Sequence, residues 1–155
     1  FWAPDVYEGA PSLITLFMST VVKTASFAAF IRLFITCFAS LATYLTPTLW
    51  IIALLTISIG NLSALKQYSF KRMLAYSSIS HAGYMLLAIL AIGPNSSKAI
   101  FIYASAYSIA SITAFAIFIK VKEIVKSDSF EAFNGLGKRN PGMALALTIA
   151  MCSLA

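Results

Sequence analysis

The sequence predicts an all-α fold, a polytopic bundle of membrane-spanning helices, on three observations. Of its 155 residues 60% are hydrophobic and 10% charged, with a mean hydropathy of +0.88, whereas soluble domains carry about a quarter charged residues. Four apolar runs approach or exceed the ~20 residues that cross the ~30 Å hydrocarbon core as a helix. None of the runs has the two-residue alternation of a half-buried strand, and their length favours helix.

The elements follow in order. Residues 2–11, WAPDVYEGAP, hold Pro4, Gly9 and Pro11. Proline breaks helices, so this segment reads as a turn leading into the first span, with Pro11 near its first turn. The first span covers 12–34, and an uncharged connection, 39–47, follows. The second span is 48–65. The connection 66–72 holds Lys66, Lys71 and Arg72. The third span is 73–92, and the GPNSS turn at 93–97 with Lys98 leads to a fourth at 99–119. The segment 120–140 holds Lys120, Lys122, Lys126, Lys138 and Arg139, with Asp128, Asn134, Gly135 and Gly137, and reads as a solvated connector. A fifth apolar run starts near Met143 and continues to residue 155. The chain does not open on Met and closes inside an apolar run, so it is expected to be an internal piece, 1–155, of one transmembrane domain of a longer protein.

Charge gives the orientation. Connections 66–72 and 120–140 carry eight lysines and arginines, and the connections on the opposite side, 39–47 and the turn after 92, carry Lys98 alone. The positive-inside rule places the two basic connections in the cytoplasm. The net charge of +6 is therefore a topology signal, and no nucleic-acid partner is expected. Cys37 and Cys152 lie in apolar runs without CxxC spacing, and His81 is the only histidine. A metal site would lack ligands, and the cysteines read as small core residues.

Lys23 is the sharpest chemical feature. It lies about 11 residues into the first span, roughly 16 Å deep, where a lysine costs on the order of 3 kcal/mol. Its side chain reaches too short a way to snorkel from the midplane. Such a residue faces the protein interior or a water-filled cavity, and the cost of its charge is what allows it to exchange a proton. The acids Asp5, Glu8, Glu123, Asp128 and Glu131 all lie in connections, so a counter-charge for Lys23 must come from elsewhere. His81 sits at similar depth in the third span, and its chemistry suits a proton relay. Tyr103, Tyr107 and Ser111 recur every four residues, one helical face, with Ser108 beside them. They are candidates for lining a water chain, as is Ser77, with Ser78 and Ser80 close by. The plainer reading of these hydroxyls is interhelical packing. Arg32 reads as a snorkelling residue. Lys66, Lys71 and Arg72 are topology determinants first, and Lys66 is also a candidate link from the relay to the cytoplasm.

Together these residues resemble the antiporter-like membrane subunits of respiratory complex I, the proton-pumping NADH:quinone oxidoreductase. The likeness runs from WAPDVYEGAP through STVVKTASFAAFIRLF (19–34) and is closest at GNLSALKQYSFKRMLAYSSISHAGYM (60–85). The loop PDVYEGAP is similar to the N-type subunits; the L- and M-type subunits and the sodium/proton antiporters typically read LPxAHxxAP there. The resemblance implies that Lys23 is the helix-eight lysine of a central hydrophilic axis that relays protons, and that His81 contributes to its connection. It implies a translocase subunit with no redox centre or cofactor of its own. NADH, FMN, iron–sulfur clusters and quinone would belong to the parent complex. Its partners would be the other membrane-arm subunits, the lipid bilayer and protons, and its location most simply the bacterial plasma membrane. A sodium/proton antiporter subunit and a non-pumping scaffold remain as alternatives.

Overall fold

The structure, a computed structural model, describes residues 2–38, 41–90 and 96–154. It is helical throughout, and among the described residues strand pairing is confined to one isolated bridge, Ser69 with Ser129. The elements are α1 (Trp2–Gly9), α2 (Ser12–Phe17), a π-helical turn (Met18–Val22), α3 (Lys23–Thr36), α4 (Ala42–Ala64), α5 (Phe70–Leu90), α6 (Ser96–Val125), a 3₁₀ turn (Phe130–Phe133), α7 (Leu136–Arg139) and α8 (Pro141–Leu154). Among the described residues, four helical stretches are long and apolar enough to cross a membrane: Ser12–Phe34, Thr43–Ala64, Phe70–Leu90 and Lys98–Val125.

Several boundaries move, each for a physical reason. Residues 2–11 are mostly helix, not a turn. Pro4 sits in the first turn of α1, where its missing N–H is not needed, and Gly9 and Pro11 end the helix. Helix α4, which holds the second span, starts at Ala42 rather than 48, with Pro47 inside it; a proline near a helix start leaves few carbonyls unpaired, and transmembrane helices tolerate this. The third span starts at Phe70, three residues early, and its expected last residues, 91 and 92, lie outside the described residues. So do residues 39 and 40 of the uncharged connection and 93–95 of the GPNSS turn. The fourth span runs on to Val125, because Lys120 and Lys122 continue the helix. Lys122 then pairs with Asp128 at 2.7 Å.

The 120–140 connector is consequently more structured than its composition implies. The Phe70 amide donates to the Asp128 carbonyl at 2.9 Å. The Phe70 ring lies 5.7 Å from Phe118, 5.8 Å from Phe130 and 4.6 Å from Phe133. The connector is thereby pinned to the start of α5. The last helix opens at Pro141, with proline in the first helical position.

Helix α5 is central. One side packs on α4 through a pair of glycines. A Cβ on Gly60 would lie 2.4 Å from Ser80 Oγ and 2.9 Å from the Ser80 nitrogen, and one on Gly83 would lie 2.5 Å from Ile57 Cγ1. Small residues at such crossings let backbones approach closely, and Ala53, opposite Gly83, is fully buried. Its other side, with Phe70, Leu74 and Met85, joins Ala104, Tyr107, Ala110, Phe115 and Phe118 of α6 and Ala150 and Leu154 of α8 in the main core. Burial on both sides leaves α5 without a pronounced polar face. Apolar side chains elsewhere lie open, Leu13, Phe101 and Ile102 among them. Lipid or further helices must cover such a surface.

Candidate functional site

Lys23 is delivered by an irregularity. The span opens as α-helix and loosens into the π turn Met18–Val22, and Lys23 is the next residue. Ser19 Oγ and Thr20 Oγ1 both donate to the Leu16 carbonyl, at 3.0 and 2.8 Å. Hydroxyls returned to a preceding carbonyl distort helices, and π turns recur at functional sites.

The Lys23 amine projects to α5. Nζ donates to the Ser78 carbonyl and reaches Ser78 Oγ at 3.0 Å. It also stands 4.5 Å from the centre of the Tyr107 ring, a cation–π distance. Tyr107 is buried on α6, with Ser78 and Ser111 beside it. The ion pairs of the described residues go to Arg72 and Lys122 instead. Among the described residues, therefore, the partners of Lys23 are a serine and a tyrosine.

Tyr107 also touches His81, ring centres 4.8 Å apart. His81 is buried. Its Nε2 lies 3.1 Å from the Leu154 carbonyl and its Nδ1 lies 2.6 Å from the Tyr103 hydroxyl. A carbonyl can only accept, so Nε2 carries the hydrogen. In the neutral ring Nδ1 is then the acceptor, and the Tyr103 hydroxyl donates to it. Lys23, Tyr107, His81 and Tyr103 thus form a continuous series across three helices.

The other candidates divide. Ser111 is buried against Tyr107. Ser108 turns back to its own helix and donates to the Ala104 carbonyl at 2.7 Å. Ser77 is half-buried, and the neighbouring Ser78 is the serine that meets Lys23. Lys66 is exposed in the turn after α4, while Lys71 is 1% exposed. Sequence reasoning missed Tyr7. It is buried on α1 beside Ser78; burial, then the nearby Tyr107, pushes its hydroxyl above the ordinary tyrosine value, so it stays protonated at neutral pH. Only its place in the proline-bearing segment before the lysine helix signalled it.

The whole chain, residues 1–155, matches the family model described as NADH:quinone oxidoreductase/Mrp antiporter, TM. The chain belongs to this family. Family membership and four spanning helices make it an integral membrane protein. Among relatives of this family, NADH-quinone oxidoreductase subunit N of Cytophaga hutchinsonii is 46% identical over 156 residues, covering 100% of this chain and 34% of the relative. The subunit N of Trichlorobacter lovleyi is 43% identical over 155 residues, covering 99% and 32%. Among solved structures, an archaeal respiratory membrane complex, the membrane-bound sulfane sulfur reductase, superposes with TM-score 0.85 at 37% identity, covering 96% of this chain and 31% of that one. Respiratory complex I from Thermus thermophilus with bound aureothin superposes at 0.75 and 36% identity, covering 99% and 33%. The chain spans about a third of the length of the relatives it matches.

Proposed function

We propose that this chain is part of an N-type, proton-translocating membrane subunit of NADH:quinone oxidoreductase, and that Lys23 carries a proton within it. The observation that supports this most directly is the amine of Lys23, held inside an apolar span by Ser78 and Tyr107. A charge there is costly, so a change in nearby charge shifts its protonation readily. His81 is the next link: neutral, with Nδ1 open to a proton through Tyr103. Ser111 and Tyr7 extend the hydroxyl series through Tyr107 and Ser78. Lys66 is retained as a candidate exit to the cytoplasm, and Ser77 and Ser108 as candidates for lining water.

In this reading the redox chemistry happens in other subunits. NADH, FMN, iron–sulfur clusters and quinone are held there, and quinone reduction changes the charge next to Lys23. The partners are the other membrane-arm subunits, the bilayer and protons. The membrane is the bacterial plasma membrane, with 66–72 and 120–140 on its cytoplasmic side. A second reading, a subunit of a different ion-translocating complex, draws support from the family's antiporter branch and from the close superposition on the archaeal reductase.

The test is Lys23→Met in the full-length protein within its assembled complex, in inverted membrane vesicles. NADH-driven proton uptake should fall severalfold relative to wild type. Full uptake in an assembled Lys23→Met complex would remove Lys23 from the relay. Co-purification without any NADH-oxidising partner would favour the second reading.

A further inference from the structure

We propose that Lys71 is a positioning residue for the Lys23 site, fastening the break between α1 and α2 to α5. The inference rests on the reading that Lys23 carries protons. Among the described residues Lys71 is one of the largest nearly fully buried side chains, and its Nζ donates to the carbonyls of Glu8, at 3.0 Å, and Ala10. These carbonyls stand at the end of α1, where helix geometry leaves them without partners. A buried ammonium needs such acceptors. Backbone carbonyls take up no proton, so the contact holds structure rather than passing charge.

What it holds lies two turns along the same helix. Residues 71, 74, 75, 78, 81 and 85 are all buried and follow helical spacing, so Lys71 and Ser78 share a face about 10 Å apart along the axis. Helix α1 packs on α5 with Tyr7 buried beside Ser78, and the Tyr7 carbonyl accepts from Thr15 Oγ1 of α2 at 3.1 Å. Fixing the end of α1 therefore fixes Tyr7 against Ser78, the residue that receives the Lys23 amine. It also fixes the start of the lysine-bearing span. Arg72 adds ion pairs to Asp5 at 3.1 Å and Glu8 at 2.5 Å, on the exposed side.

The experiment compares Lys71→Gln with Lys71→Met in the full-length protein in its complex. Glutamine keeps N–H donors for the two carbonyls and cannot carry a proton; methionine has neither property. A spin label is placed at Gly9→Cys, where a side chain meets nothing within 4 Å, with Cys37 and Cys152 replaced by serine. Lys71→Met should narrow the label's spectrum and slow proton uptake by about tenfold or more, the scale on which small displacements of reacting groups act. Lys71→Gln should keep the broad spectrum and near wild-type uptake. An unchanged label and uptake in Lys71→Met would overturn the proposal. So would equal loss of uptake in both variants with the label still immobile, which would make Lys71 a charge carrier. If the methionine variant does not assemble, the glutamine variant decides on the same two readouts. The label reports independently of pumping, so a Lys23→Met complex that pumps normally would end the proton reading while leaving the spectra to judge the fastening.

Discussion

Lys23 and Ser78 lie 55 residues apart in sequence and meet twice, through the serine carbonyl and through its hydroxyl. The backbone contact survives any substitution at 78, whereas the hydroxyl contact does not. Ser78→Ala therefore separates the two. A hydrogen bond to a charged group contributes about 1.5 kcal/mol, and on a limiting proton transfer its loss is about tenfold in rate. Proton uptake by assembled Ser78→Ala vesicles should fall by that order, less than for Lys23→Met. Equal rates for Ser78→Ala and wild type would mean that the hydroxyl is incidental.

The tautomer assigned to His81 makes Tyr103 its donor at Nδ1. Tyr103→Phe removes that donor and His81→Ala removes the acceptor. If the two act as one unit, the double variant should be no slower than His81→Ala alone, because interacting residues are non-additive. Uptake rates for the two single variants and the double variant form the cycle. Strictly multiplied losses would place the two residues on separate routes.

The glycine pair between α4 and α5 predicts an assembly defect. Gly60→Ala sets a methyl 2.9 Å from the Ser80 nitrogen, so the helices must part, at about 1–3 kcal/mol. Gly142→Ala, with open space around it, is the control. The thermal midpoint of the purified full-length protein should drop for position 60 and hold for position 142. A matching drop at both sites would point to helix α8 rather than to the crossing.

The ion pairs of Arg72 should matter little. The Asp5 side chain is 72% exposed and that of Arg72 33%, and exposed pairs contribute about 0–1 kcal/mol. Asp5→Asn should leave proton uptake within about twofold. A large loss would shift the fastening of α1 from buried Lys71 to its charged rim.

Orientation is tested by labelling. A cysteine at Glu123, exposed near the end of α6, should react with an impermeant maleimide from the cytoplasmic side only. Reaction from the opposite side would invert the assignment of 66–72 and 120–140.

Composition and charge spacing carried the helical class and the spans, because apolar length is a local property. The bounds at 42 and 125 were not legible: Pro47 and Lys120 look like breaks, but one proline early in a helix costs little and a lysine side chain can extend to reach an acid such as Asp128. Lys23 and His81 stood out as polar residues at apolar depth. Ser78 did not separate from Ser77, since which serine faces α3 depends on the rotation of α5. Lys71 looked like a topology charge because its carbonyl partners are contributed by backbone, which no side-chain pattern reveals. The glycine crossing was equally silent, as it depends on what lies opposite.

The π turn at Met18–Val22 has a consequence for phase. Five residues fill a stretch that a regular helix would fill with about four, so the sequence before and after it reads in two angular registers. Each residue turns an α-helix by about 100°. Winding the same five residues as regular α-helix would retain every apolar residue, yet it would swing Lys23 roughly a quarter of a revolution from Ser78, whereas removing one residue of the turn would keep the lysine in register. The address of the lysine is thus written in how the helix before it winds as much as in the chemistry of its residues.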